Sequence, residues 1–336
     1  MPKPGDYEGG IEGAEVDAEK SKHYFGDLFK AQKYVPKHPK LFGPPQWQEW
    51  LDPEFVKAHD DYLTASKLPH GPTRLEAMQS AWNSCLTLET VGGGPGVYSF
   101  PCFTQDFCKL LVDEVDYAQA HYAKLLMRPN GMNRYGMVLN QVGLEPAITA
   151  LQQSYIKDLQ TYLFGKEGAD PDDHHCFIVR YNRDEDVGLD MHTDSSDITL
   201  NVCLGREFTG ASLTFCGVKG NRDHRSMKHV YYHQIGRGVI HLGRQRHGAD
   251  DLDSGERLNF ILWNDSSSWR SSAEYTEMMR SRRQKEMTPD LVCLSYTHDA
   301  DYTRYKSKLS DTEALKRGVM LDRVQSDPKR RMTCQS

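Results

Sequence analysis

The chain has 336 residues, 26% of them charged and 38% hydrophobic, with a formal net charge of -6. Enough apolar side chains are present to fill a core, and no run approaches the ~18 apolar residues of a bilayer span, so a disordered chain and a membrane-embedded protein are both excluded. The acidic balance disfavours a globally basic nucleic-acid binder and leaves open a local basic patch.

Residues 1–40 are polar and carry several Gly and Pro, which reads as a disordered lead-in with little packing before Trp47. The opening MPKPGDYEGGIEGAEVDAEK has no apolar core of the signal-peptide kind. A cytoplasmic or nuclear location is therefore expected. The eight cysteines form no CxxC pair and read as reduced core thiols, with a disulfide left open. Residues 74–90 set Leu75, Met78, Trp82 and Leu86 at helical spacing, and the run from Gly92 to Gly96 then breaks the chain.

The spacing predicts a long helix over 104–127. Thr104 is its N-cap, Asp106 lies in the first turn, and Phe107, Leu111, Val115 and Ala118 mark one face. A second helix is predicted over 146–164, with Pro146 at its start and Ile148, Leu151, Tyr155, Leu159 and Tyr162 at helical intervals.

From His175 the period changes to two. Phe177, Val179 and Tyr181 share a face, and Ile198, Leu200, Val202 and Leu204 alternate with Thr199, Asn201 and Cys203. Further strands are expected at 212–216, 229–235, 238–242 and 257–263. Helices followed by many short strands define an α+β layout: helices packed outside a jelly-roll-like pair of sheets. The divisions are a disordered 1–40, a helical region over 41–172 packing on the core, a β-rich domain over 173–270 and a charged extension over 271–336. Arg280, Arg282, Arg283 and Lys285 cluster on an expected helix in that extension, and Lys329 to Arg331 stand near the end. A solvated helix with a loose tail is the ordinary reading of such runs; a partner or nucleic-acid contact is the alternative.

The chemistry concentrates at Met191-His192-Thr193-Asp194. On an extended segment His192 and Asp194 point to one face, so an imidazole nitrogen and a carboxylate oxygen can grip one metal. His247, just after the strand 238–242, supplies a third ligand. Two His and one carboxylate leave positions open on an octahedral ion, which suits iron(II), Fe(2+), and oxygen chemistry better than zinc. Beyond His247, Arg257 opens an alternating strand with Asn259, Ile261 and Trp263 on its face and Leu258, Phe260 and Leu262 on the other. A buried guanidinium needs an anion, and its fork fits a carboxylate. A dicarboxylate chelating the metal at one end would place its far carboxylate there. His174, His175, His224, His229 and His233 lack ligand-like spacing. Asp197 reads equally as a hydrogen-bond partner of a ligand His or as a turn cap.

These residues, together with VYSFPCFTQDFC (97–108), RPNGMNRYG (128–136), HHCFIVRY (174–181), HTDSSDITLNVCLGREFTG (192–210) and RHGADDLDSGERLNFILW (246–263), resemble the family called 2-oxoglutarate and iron-dependent oxygenase domain-containing protein 2, within the prolyl and lysyl hydroxylase superfamily. The resemblance implies a double-stranded β-helix, with the oxygenase domain over 173–270. It implies iron on His192, Asp194 and His247, 2-oxoglutarate on Arg257, and L-ascorbate as reductant. It places Tyr181 beside the cosubstrate, with Asn201 and Asn259 as further interior candidates. Asn130, Asn133 and Tyr135, on a loop expected over the site, become candidate substrate contacts. The family often carries an aromatic residue where Thr193 stands here. The implied activity is hydroxylation of a protein side chain, Lys or Pro. Competing readings are oxygenation of a nucleic-acid base through the basic tail, and a non-catalytic binding module that kept the fold.

Overall fold

Two antiparallel sheets face each other in this computed structural model, which describes residues 33–281 apart from 90–94, 220 and 222–226. The expectations for 1–32, for the Gly92–Gly94 stretch and for the basic residues after Ser281 lie outside the described residues.

Helices come first: α1 (Trp47–Trp50), α2 (Pro53–Ser66) and α3 (Pro72–Asn83). Asp52 caps α2 by accepting the Glu54 amide at 2.9 Å. Strands β1 (Thr87–Leu88) and β2 (Tyr98–Pro101) follow, then α4 (Gln105–Tyr122), capped by Thr104 as the sequence predicts. After β3 (Gly136–Val138) come α5 (Glu145–Leu151), one wide π turn over Gln152–Ile156, and α6 (Lys157–Phe164). Gln152, in the wide turn, donates to the Asp173 carbonyl at 2.9 Å and to Asn264 Oδ1 at 3.0 Å, which ties the helical layer to the sheet.

The remaining strands are β4 (Asp173–Asn182), β5 (Leu189–His192), β6 (Ile198–Gly205), β7 (Phe208–Gly210), β8 (Leu213–Val218), β9 (Met227–Tyr231), β10 (Arg237–Leu242), β11 (Gln245–Ala249) and β12 (Leu252–Asp265). Short helices α7 (Ser267–Arg270) and α8 (Ala273–Ser281) end the described chain. The larger sheet has the order β1-β2-β10-β6-β12-β4-β3, with β7 beside β12; the smaller has the order β5-β11-β8-β9.

Alternation along the strands sorts two cores. Ile178 on β4, Ile198, Leu200 and Val202 on β6, and Leu258, Phe260 and Leu262 on β12 pack outward with Phe55, Trp82, Leu111 and Leu151 of the helical layer. Phe177, Val179 and Tyr181 of β4 and Ile261 of β12 face inward, where they meet Leu213 and Phe215 of the smaller sheet. Among the described residues no helix is long and apolar enough to cross a membrane.

Four sequence expectations need correction. Tyr34 and Leu41 are buried, so packing begins well before Trp47; the Tyr34 hydroxyl donates to the buried Glu114 carboxylate of α4. The 41–172 region is not only helical, because β1, β2 and β3 extend the larger sheet. Leu75 is 68% exposed, since α3 docks through Ala81 and Trp82 at its far end. Cys85, Cys102, Cys108, Cys176 and Cys203 are free and buried as expected, but Cys216 is disulfide-bonded.

Candidate metal and cosubstrate site

His192 is the last residue of β5, and His247 sits in the middle of β11. The two strands pair so that these histidines are direct cross-strand partners, with ring centroids 4.4 Å apart. Asp194 lies in the turn just beyond β5, and its amide donates to the Gly243 carbonyl at 2.8 Å. His192 Nε2 is 3.4 Å from Asp194 Oδ1, and His247 Nε2 is 3.7 Å from Asp194 Oδ2. The three side chains can each offer one ligand atom, all within 4.8 Å of one another.

Each imidazole is held in the tautomer a metal needs. His192 Nδ1 bonds the Asp190 carbonyl at 2.7 Å, and His247 Nδ1 bonds the Gln245 carbonyl at 2.9 Å. A carbonyl only accepts, so each Nδ1 carries the proton and each Nε2 lone pair faces Asp194. Burial pushes the His247 imidazolium down to about 3, which keeps the ring neutral. Two neutral imidazoles and one carboxylate in this cluster fit a ferrous ion.

The same cavity continues across to the larger sheet. It spans about 430 Å³ including the space open to solvent, and Tyr181, Asn201, Arg257 and Trp263 line it together with His192, Asp194 and His247. Arg257 pairs with Tyr181 in the β12–β4 register, and its guanidinium carbon stands 4.4 Å over the Tyr181 ring. Its Nη1 donates to the Ala211 carbonyl. Arg257 is 1% exposed, its Nε has no partner, and no carboxylate among the described residues pairs with it.

Most of the residues expected at the site meet here, with exceptions. Asn201 lines the cavity, whereas Asn259 lies behind it and donates from Nδ2 to Asn201 Oδ1, so it is not a direct cosubstrate contact. Asn130 and Asn133 of the loop line the cavity; Tyr135 does not, being turned outward and 38% exposed. Asp197 bonds no histidine; it accepts the Ser266 amide and the Arg270 guanidinium. His174, His175, His229 and His233 stay out of the ligand cluster, and His224 lies outside the described residues.

Sequence reasoning missed three neighbours. Thr199 donates to Asp194 Oδ2 at 2.6 Å and is bonded to Ser196 Oγ at 2.7 Å. The alternation of β6 places Thr199 on the inner face with Asn201, and that signal was available. His241 packs its ring 4.6 Å from that of His247, and alternation along the expected strand 238–242 puts it on the inner face with Val239, opposite Thr199.

Two imidazoles on one sheet and a carboxylate in the adjoining turn, faced across the cavity by a guanidinium with no salt-bridge partner, are a donor set that fits a mononuclear metal centre with an acidic cosubstrate. Comparison with known proteins makes the assignment specific. The OGFOD2-like domain matches residues 31–169. The chain is 38% identical over 190 residues to 2-oxoglutarate and iron-dependent oxygenase domain-containing protein ICU11 of Arabidopsis thaliana, a match covering 54% of this chain and 48% of that protein. It is 38% identical over 246 residues to 2-oxoglutarate and iron-dependent oxygenase domain-containing protein 2 of Xenopus tropicalis, covering 71% and 64%. A more distant likeness, 26% over 238 residues, covers 64% of this chain and 29% of procollagen-lysine,2-oxoglutarate 5-dioxygenase 1 of Gallus gallus. The chain thus spans about half the length of the Arabidopsis relative. It belongs to the 2-oxoglutarate and iron-dependent oxygenase domain-containing protein 2 family.

Proposed function

We propose that this chain is an iron(II)- and 2-oxoglutarate-dependent dioxygenase that hydroxylates a Lys or Pro side chain of a protein. The observation that carries the reading is the shared cavity: a three-residue metal cradle and a fully buried, unpaired Arg257 guanidinium line the same space. A buried guanidinium that has only the more distant Asp250 carboxylate and no salt bridge of its own is costly, so the cavity is suited to receive an anion. We read the two facing sheets as a double-stranded β-helix with the site between them.

His192, Asp194 and His247 would hold the iron. When bound, iron supplies the redox chemistry by which dioxygen and 2-oxoglutarate give succinate, carbon dioxide and one hydroxyl on the substrate. Arg257 binds the far carboxylate of 2-oxoglutarate through its fork. Tyr181 adds a hydroxyl: Asn133 Nδ2 donates to that oxygen at 3.2 Å, which leaves the phenolic proton free to point into the cavity. Phe177, Leu213 and Ile261 wall the space with apolar surface and exclude water.

The loop carrying Asn130 and Asn133 fixes its own shape. Asn130 Oδ1 accepts the amides of Met132 and Asn133 at 2.8 Å each, and the Asp186 carboxylate accepts the Arg134 amide at 2.8 Å. It therefore presents a formed edge to the substrate. The kinship with a procollagen-lysine dioxygenase supports a protein substrate.

The test is turnover of purified chain with iron(II), 2-oxoglutarate and ascorbate in air, read as succinate by NMR. We expect succinate from the wild type, none from His247→Ala, and a fall of at least about tenfold in kcat/KM for 2-oxoglutarate in Arg257→Ala, as for loss of a charge-assisted pair. Mass spectrometry of treated peptide pools should then show one added oxygen on Lys or Pro. Succinate at wild-type rate from His247→Ala would sink the proposal.

A further inference from the structure

The segment that follows the sheets is tied to the metal cradle by one side chain. Arg270, the last residue of α7, donates from Nε to both carboxylate oxygens of Asp197 at 3.1 Å. Its Nη2 donates to the Ser195 carbonyl at 2.7 Å and to Asp265 Oδ1 at 2.5 Å. Ser195 and Asp197 belong to the turn that carries Asp194, so a single guanidinium reaches three acceptors around that turn. Asp197 is itself 6% exposed and also accepts the Ser266 amide, at 2.9 Å, where α7 begins.

The other side of the turn is pressed against Gly243. The Asp194 amide donates to the Gly243 carbonyl, and the Gly243 amide donates to the Asp197 carbonyl, both at 2.8 Å. A Cβ at Gly243 would fall 1.8 Å from the Ser196 carbonyl oxygen, so the two backbones are in direct contact. The ligand turn is therefore gripped between a peptide group of the sheet and the Arg270 fork.

We infer that Arg270 is a positioning residue for the metal centre: it holds the 194–197 turn so that the Asp194 carboxylate meets both imidazoles. This rests on the metal reading of His192, Asp194 and His247 given above. The argument is geometric. Asp194 has no strand pairing of its own, since β5 ends at His192 and β6 begins at Ile198. Thr199 donates to its carboxylate at 2.6 Å, and its backbone position is set by what fastens the turn. Away from Gly243 the Asp197 amide donates to the Asn264 carbonyl at 3.1 Å, and Arg270 adds the side-chain bonds to Asp197 and Ser195. A lysine cannot reproduce it, because one ammonium lacks the planar fork that serves Asp197 with Nε while Nη2 serves Ser195 and Asp265. Partners that orient metal ligands from behind typically contribute 10–100-fold in metal affinity.

The experiment titrates Mn(II), as the probe for iron(II), into the full chain and its Arg270→Ala and Arg270→Lys variants by calorimetry. Mn(II) EPR spectra and the melting temperature of each metal-free protein are recorded alongside. We expect Mn(II) affinity to fall about tenfold or more in Arg270→Ala, with an altered EPR line shape. Arg270→Lys should fall between, with a metal-free melting temperature at the wild-type value. Asp197→Asn should weaken affinity as well, and the double variant should lose less than the sum of the two, because both changes release one contact. Wild-type Mn(II) affinity in a folded Arg270→Ala overturns the inference; should that variant not fold, wild-type affinity in Arg270→Lys overturns it. A wild type that binds no Mn(II) overturns the metal reading itself, so the two failures are distinct.

Discussion

The hydrogen on Nδ1 of His192 and of His247 has a fixed destination in each case, a backbone carbonyl two residues earlier on the same strand. That detail selects the metal-binding nitrogen without any further side chain. The Tyr181 hydroxyl is directed in the same manner by Asn133. Removing the hydroxyl in Tyr181→Phe should raise KM for 2-oxoglutarate about fivefold with little change in kcat, the scale of one neutral hydrogen bond. Asn133→Ala should shift KM the same way by less. The double variant should be no worse than Tyr181→Phe, because Asn133 acts on the cosubstrate through that oxygen. Initial-rate kinetics at varied 2-oxoglutarate decide this, and an additive double variant contradicts it. At this scale the sequence singled out His192, Asp194, His247 and Arg257, since metal chemistry restricts which residue types can serve, and their side chains do line one cavity. It did not separate Asn201 from Asn259, because the unbroken β12–β4 register puts Asn259 opposite Val179 on the inner face, and alternation reports the face but not that Asn259 is fully buried against Asn201 and short of the cavity.

Elements were legible in proportion to their length. The 18-residue α4 and the 10-residue β4 carry enough turns or alternations to announce their period. Two- and three-residue strands such as β1, β3 and β7 have no period to read, and their existence depends on neighbours supplied by distant chain. The turn over 194–197 is the element on which the site depends most, and Gly243 is the residue that makes room for it. Gly243→Ala must push the Ser196 carbonyl away, so it should cost about 1–3 kcal/mol of folding stability in urea titrations, the usual scale for overpacking. It should weaken Mn(II) binding as well. An alanine variant with wild-type stability and affinity would show that the contact at Gly243 relaxes freely.

Across the whole molecule the helical layer and the larger sheet share one apolar core, and polar bridges at its margin set their register. His174 of β4 is one such bridge. Thr149 of α5 spends its hydroxyl proton on the Glu145 carbonyl, so His174 Nε2–H must donate to Thr149 Oγ1, at 2.9 Å. His174 Nδ1 accepts from Asn140 Nδ2 at 3.3 Å. The neutral ring satisfies both contacts, and a second proton would oppose the Asn140 amide. Burial, the largest cause, lowers the His174 pKa from 6.5 to about 4. The unfolded chain therefore takes up a proton first as pH drops. The stabilisation is complete above pH 6.5 and is lost as pH falls toward 4. Between pH 7 and 5.5 the stability gap between wild type and His174→Gln should narrow by about 1 kcal/mol in urea titrations. Parallel stability curves over that range would refute it.

The histidines of the cradle hang from the smaller sheet, while Arg257 and Tyr181 belong to the larger one. A dicarboxylate stretched from the metal to the guanidinium is then a rivet through both leaves of the molecule. Loading the site would add a polar stitch to the apolar seam that already joins the two fabrics, so the charged protein would be the stiffer of the two.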